Sequence, residues 1–315
     1  MNRHRTALSV LLAAGALVAG ALTAAGPSIA ADAPASFRQQ HTHGFWTAER
    51  MRGAAPLDVT AVPGVARTPV ATSAAPSTIA PTPAASPTAF PQAGGAWTGG
   101  GAVVKTSGRV FFTMGDRTAS CSGDSVTSAN GSTVITAGHC VKYQGAWHTN
   151  WVFVPAYNNG SAPYGQWSAT KTFATDQWAA SEDMNMDVGL AVVAPLNGQT
   201  LSQAVGAQGI AFNGGYNKKM YAFGFPAAAP YDGTKLVYCS GNSGKDFLLT
   251  KDHGLGCNMT GGSSGGPWFQ DFNEATGLGT QVSVNSFGYT FLPNRMYGPY
   301  FGNEAKAAYD KAQTS

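Results

Sequence analysis

From residue 96 to the C-terminus, runs of four to seven residues with strand character recur, and clusters of Gly, Asn and Asp separate them. Such runs lie at residues 109–114, 133–136, 151–155, 188–193, 221–225 and 281–287. Each is shorter than a helix that buries one face, and the turn residues between them leave no room for alternating βα units. The pattern predicts an all-β barrel or sandwich. One helix is expected, at the C-terminus, where Asn303 can cap a segment through Glu304, Ala305, Lys306, Ala307, Ala308 and Tyr309. The sequence contains no internal repeat.

Composition changes sharply near Ala96. The first 95 residues carry six Lys or Arg and three Asp or Glu, whereas the rest carries thirteen of each. The net charge of +3 therefore belongs to the leader. A folded part without a basic excess lacks the face that neutralises phosphates, so nucleic acid is not an expected partner. The N-terminus places Arg3 and Arg5 before an apolar stretch over residues 7–25, followed by Gly26, Pro27 and the small residues of Ser28-Ile29-Ala30. This is the pattern of a signal peptide cleaved after Ala30. An uncleaved membrane anchor is the competing reading, but Ala and Gly make the run weakly apolar and a cleavage site follows it. The expected product is secreted, extracellular, free of the membrane and monomeric. All four cysteines follow Ala96, and an even number behind an export signal favours two disulfides over a metal site.

Residues 31–95 read as a propeptide and an Ala/Pro/Thr-rich linker, largely disordered. Residues 61–95 hold seven prolines and a single charge, Arg67, a composition that stays extended and invites proteolytic trimming. Upstream, Thr47 can cap a short helix with Glu49 in its first turn. Phe45, Trp46 and Met51 around it either dock on the folded part or belong to a tether. His41 and His43 lack a third ligand, and no metal is expected there.

Acyl transfer by a serine needs a base to take its proton, an acid to orient that base, and amides to hold the developing oxyanion. Gly261-Gly262-Ser263-Ser264-Gly265-Gly266-Pro267 resembles the nucleophile segment of the chymotrypsin-like proteases, and Val134-Ile135-Thr136-Ala137-Gly138-His139-Cys140 resembles their histidine motif. Asp187-Val188-Gly189-Leu190 is similar to the strand that carries the family's aspartate. The resemblance covers most of residues 96–315, with bacterial secreted glutamyl endopeptidase-type proteases as nearest kin. It implies two six-stranded antiparallel β-barrels with a C-terminal helix, and protein or peptide substrates hydrolysed without a cofactor. His139 would be the base, Asp187 the orienting acid and Ser264 the nucleophile, with the N–H groups of Gly262 and Ser264 as oxyanion hole. Asp183, four residues earlier, is the rival acid and reads as a solvated loop carboxylate. The resemblance also implies a Cys121–Cys140 disulfide, which leaves Cys239 for Cys257.

The order of the residues removes other classes. A G-x-S-x-G turn also marks α/β-hydrolases, but these need a histidine after the serine. Every histidine here, at 4, 41, 43, 139, 148 and 253, precedes Ser264, and no H-E-x-x-H occurs. The remaining alternative is a catalytically silent protease homologue acting as a secreted binding protein.

Three departures from the family matter. Ser263 stands where digestive members carry the Asp that pairs with the ammonium freed by activation. Cys257 lies seven residues before Ser264, farther than the family's usual cysteine. Asn258 falls at the base of the substrate pocket, whose wall Ser286, Phe287 and Gly288 would form, and Asn285 stands where glutamyl endopeptidases have histidine. With no acid at that base a buried cation would lack a partner, so neutral side chains are expected there.

Overall fold

The computed structural model describes residues 35–61, 75–79 and 90–315. The expected signal peptide and most of the Pro-rich stretch lie outside the described residues.

Strands β1 (Ser107–Met114) and β2 (Arg117–Val126) form a hairpin across Gly115 and Asp116, where Gly115 has φ +58°. A two-residue turn with positive φ matches the twist of the strands it joins. The sheet continues through β3 (Thr133–Thr136), β6 (Gly189–Val193), β5 (Trp167–Ala174) and β4 (Thr149–Pro155). Strand β4 then pairs with β1, Phe153 opposite Val110, and closes an antiparallel barrel of six strands. Alternation puts Val110, Phe112, Val134, Trp151, Phe153, Phe173 and Leu190 into one buried cluster. β4 and β5 pair only at Val152–Ser168 and Phe153–Trp167, so the later residues of β5 keep one edge free within the ring.

The second half holds β7 (Gly209–Phe212), β8 (Lys219–Gly224), β9 (Val237–Asn242), β10 (His253–Gly256), β11 (Pro267–Asn273), β12 (Leu278–Val284), β13 (Phe287–Tyr289) and β14 (Leu292–Gly298). Together with the short strands Ser77–Ile79, Gln92–Ala96 and Gly244–Lys245 they form a seven-stranded sheet and a four-stranded sheet. In place of a uniformly antiparallel ring, β7 pairs with β12 in parallel, and register shifts interrupt the β11–β12 ladder. Such bulges bend the strands and increase their local twist. Ala222, Cys239, Leu255, Trp268, Val282 and Met296 share a core between the two sheets. The Cys239–Cys257 disulfide ties β9 to the end of β10, and Cys121–Cys140 ties β2 to the turn after β3.

The C-terminal helix runs Asn303–Gln313. Gly302, not Asn303, is its N-cap; the Asn303 side chain instead accepts a hydrogen bond from Asn213 Nδ2 at 3.0 Å. Ala305, Ala308, Tyr309 and Ala312 repeat at helical spacing and are buried against the first barrel.

Part of the stretch before Ala96 also has defined structure. Strand Ser36–Arg38 adds to β5, with Phe37 opposite Thr172, and Gln92–Ala96 adds to β9. Helix Ala48–Gly53 is capped by Thr47, whose side chain accepts from Arg50 N. Of the two readings of Phe45, Trp46 and Met51, the structure has them docked: Trp46 and Met51 are buried with Phe111, Val152, Val154, Tyr157 and Phe225, and Phe45 packs beside them. A tether has no reason to present such side chains; burying each stabilises by about 1.5–3 kcal/mol before ordering costs.

Three buried titratable groups set a pH dependence. Burial holds the imidazoles of His148 and His253 down at about 4, below the ordinary 6.5. Their folded values are depressed, so the stability they contribute is complete above about pH 6.5 and is lost as pH falls towards about 4. Asp124 acts in the opposite sense. Burial pushes its carboxyl up from 3.8 to about 8, so its contribution is complete below pH 3.8 and is lost as pH rises through about 8. Asp124→Asn retains an acceptor for Ser107 Oγ, which donates at 2.9 Å. Thermal melts of this variant are expected to show a gain on the order of 1–2 kcal/mol, about 2–4 °C, at alkaline pH, and almost none near pH 4.

Candidate active site

Pairing of β3 with β6 places Thr136 opposite Gly189. Because the strands run antiparallel, the chain leaving β3 and the chain entering β6 meet at the same end of the barrel. There His139 lies in a single 3-10 turn, Gly138–Cys140, and Asp187 lies two residues before β6. Asp187 Oδ1 accepts from His139 N at 2.7 Å and Oδ2 is 2.7 Å from His139 Nδ1. Both side chains are fully buried. One carboxylate thus fixes both the backbone and the ring, and it leaves Nε2 as the free face of the imidazole. That atom has no hydrogen-bond partner among the described residues.

Neighbours hold this arrangement. His148 Nε2 lies 2.9 Å from His139 O, and the His148 ring stacks on Phe112 at 4.4 Å. Gly138 is glycine for want of room, since a Cβ there would lie 2.6 Å from the Trp178 ring. Asp183 is buried rather than solvated: it caps the turn Met184–Met186 and accepts from Asn185 N at 3.0 Å.

The turn carrying Ser264 depends on two positive φ angles, +93° at Gly262 and +79° at Gly265. A Cβ on Gly265 would come within 2.0 Å of Thr136 Oγ1, so the turn packs directly on the end of β3. Ser122 joins the halves: its N–H donates to Ser264 O at 2.7 Å and its hydroxyl to Gly262 O at 2.9 Å. Ser263 closes the turn through its hydroxyl, which donates to Thr260 O at 2.8 Å.

The residues expected to form the substrate pocket separate. Asn258 and Gly288 line a cavity of about 400 Å³ together with Met259, Leu292 and Met296. Asn258 Oδ1 accepts from Tyr231 OH at 2.6 Å. Ser286 turns the other way, and its hydroxyl donates to Asp187 Oδ2 at 2.5 Å. Phe287 is buried, stacked on Tyr297 at 5.2 Å. Asn285 is a clamp: Nδ2 donates to Phe223 O and Ser263 O, and Oδ1 accepts from Trp268 Nε1. No local pattern points to the Ser286 or Asn285 contacts, because each joins segments far apart in the chain.

The chain's own Leu57 lies at this site. Leu57 O accepts from Gly262 N at 3.0 Å and from Ser264 Oγ at 3.4 Å, and Leu57 N donates to Ser120 O at 3.0 Å. Among the described residues one cluster has metal-ligating types, Cys121, His139 and Cys140. Its two sulfurs are bonded to each other, so neither is a thiolate, and the donor set does not fit a metal.

Comparison with known proteins places these features. No family model matches the chain. A curated relative, the extracellular metalloprotease of Bacillus subtilis (strain 168), is 41% identical over 61 residues, 19% of this chain and 20% of that protein. The chain therefore spans about a fifth of the length of the curated relative it matches. The solved structure of the protease Anisep from Arthrobacter nicotinovorans is 47% identical, with TM-score 0.63, over 67% of this chain and 96% of that one. A thermostable serine protease, AL20, from an extremophilic microorganism is 43% identical, with TM-score 0.64, over 68% and 99%. A Glu endopeptidase shares the fold at 14% identity and TM-score 0.57, over 72% and 99%. With near-complete coverage of two proteases at this identity, and a closed six-stranded barrel beside a second β half, the chain belongs to the chymotrypsin-like serine proteases.

Proposed function

We propose that the chain is a secreted serine endopeptidase, made as a zymogen, that cuts protein or peptide substrates through His139, Asp187 and Ser264. The observation that carries this reading is the double hold of Asp187 on His139, whose Nε2 has no hydrogen-bond partner among the described residues, together with Ser264 on a Gly-rich turn that packs on Thr136 and Ala137 just before that histidine. In the reaction, His139 Nε2 takes the Ser264 proton and Oγ attacks the substrate carbonyl. The oxyanion forms against the N–H groups of Gly262 and Ser264, and the imidazolium returns the proton to the departing amine. Water then repeats the sequence on the acyl-enzyme. Before this, the Ser264 hydroxyl must turn from Leu57 O towards Nε2.

Supporting secretion are the two disulfides, the basic and then apolar N-terminus, and the extracellular relative. Met259, Leu292 and Met296 in the cavity wall suit an apolar side chain at the cleavage site, although Arg295 also lines that cavity. Among the described residues, no helix is long and apolar enough to cross a membrane.

Protein freed of its bound leader should hydrolyse members of a mixed peptide library, with Ser264→Ala losing about 10⁶ in turnover. Ser264 should also react with a fluorophosphonate; absence of labelling and of hydrolysis would support the binding-protein reading instead. Asp187→Asn should keep the fold and lose about 10⁴ in kcat. Asp183→Asn should stay within a few-fold of the parent, and an equal loss there would reassign the acid. Ser286→Ala removes one hydrogen bond to a carboxylate, about 1.5–3 kcal/mol, and should lower kcat roughly tenfold or more while KM holds.

A further inference from the structure

The site is filled by the chain's own leader, and the direction in which that leader runs is informative. Residues before Leu57 lie along the first barrel, with Ala55 and Pro56 parallel to Ala119 and Ser120 of β2. Residues after it lie on the pocket side. Asp58 sits against Gly261, where a Cβ would be 3.0 Å from Asp58 Cβ, and Thr60 bridges Gly288 in the parallel sense. Asp58, Val59 and Thr60 line the same cavity as Asn258 and Met259.

Acyl transfer has a fixed polarity. The residue owning the attacked carbonyl puts its side chain in the specificity pocket, and the departing nitrogen faces the imidazole that protonates it. His139 is on the barrel side, joined to β2 through the Cys140–Cys121 bond. For Leu57 the departing atom would be the Asp58 nitrogen, yet the chain carries Asp58 towards Gly261 and the cavity, away from that side.

We infer that residues 35–61 are a reverse-bound inhibitor of the chain's own active site, and that they stay bound after the connection to the protease domain is cut. The Leu57 carbonyl takes the oxyanion amide of Gly262 without offering a bond that the triad can cleave. Retention follows from anchors outside the cleft. Strand Ser36–Arg38 extends β5, and Gln39 Nε2 donates to His148 O and Thr172 Oγ1. Trp46 Nε1 donates to Asn150 O at 2.6 Å with its ring 5.5 Å from Phe111, and Met51 is buried beside Val152 and Val154. Such a central aromatic anchor dominates the energy of an interface. This inference rests on the proposed protease function and names how its latency is maintained.

The test places a recognition site for a sequence-specific protease between residues 62 and 89 of the full chain. After cutting, the leader fragment is expected to co-elute with the protease domain in gel filtration. Peptide hydrolysis should stay low, and mass spectrometry should find the Leu57–Asp58 bond intact after prolonged incubation. In Trp46→Ala cut the same way, the leader should dissociate on dilution and hydrolysis should rise by about tenfold or more. A synthetic peptide of residues 35–61 with Trp46 should restore inhibition of that variant, which also shows that it is folded. Loss of the leader on cutting the parent chain, full activity with the leader still attached, or cleavage at Leu57–Asp58 would each overturn the inference. Retention and bond integrity are read without any activity. A chain that hydrolyses nothing in any state therefore refutes the protease function separately from the mode of leader binding.

Discussion

The Asp187 carboxylate that bonds both the backbone and the ring of His139 is the interaction on which the rest of the site depends. It exists because β3 and β6 pair in one register, and a slip by one residue would turn Asp187 to the other face. Barrel closure enforces that register, since each strand is held on both sides. Burial makes the hold consequential. A buried carboxylate must have its lone pairs satisfied, and His139 N, His139 Nδ1 and Ser286 Oγ together do so. The third donor comes from the second half of the molecule, so the acid is set only when both halves are docked.

Ser264 depends on the same docking from the other side. Its turn leans on Thr136 at the end of β3 and is stitched by Ser122 to β2, while Asn285 grips Ser263 and Phe223 from beneath. Ser263 closes the turn locally through Thr260. The position that digestive relatives give to an ion pair is thus held here by a hydroxyl, and no free ammonium is needed to form the turn.

What the sequence revealed and what it hid divide by range. The segments that carry His139, Asp187 and Ser264 stood out because the neighbours of each have their own physical reason, a strand ending before the histidine or glycines where φ is positive. The β content was legible from the same alternation of short runs and turn residues. Ser286 and Asn285 were read only as pocket wall, because their partners Asp187, Phe223, Ser263 and Trp268 come close only in the folded chain. Asp183 was read as solvated for want of any local sign of the packing that buries it. Trp46 and Met51 stood out as large apolar residues in a polar stretch, yet nothing local says that Leu57 would reach Ser264. Within the β architecture, the parallel pairing of β7 with β12 and the register shifts of the β11–β12 ladder carry no sequence mark of their own.

Reverse binding also explains why the leader is so long. A segment bound in the productive direction gains affinity by filling the specificity pocket, but it offers its own bond to the serine and is consumed. Reversal protects that bond at the expense of pocket contact, since Leu57, which owns the carbonyl, remains only half-buried, Asp58 and Thr60 stay exposed, and of these cavity-side residues Val59 alone is buried. Affinity then has to come from elsewhere. It is found on the outer face of the first barrel, where strand Ser36–Arg38, Gln39, Trp46 and Met51 supply main-chain pairing and apolar burial far from the chemistry. Separating the anchor from the blocking residues has a further effect: disturbing the anchor releases the site without touching any atom that takes part in catalysis, so latency and activity can vary independently.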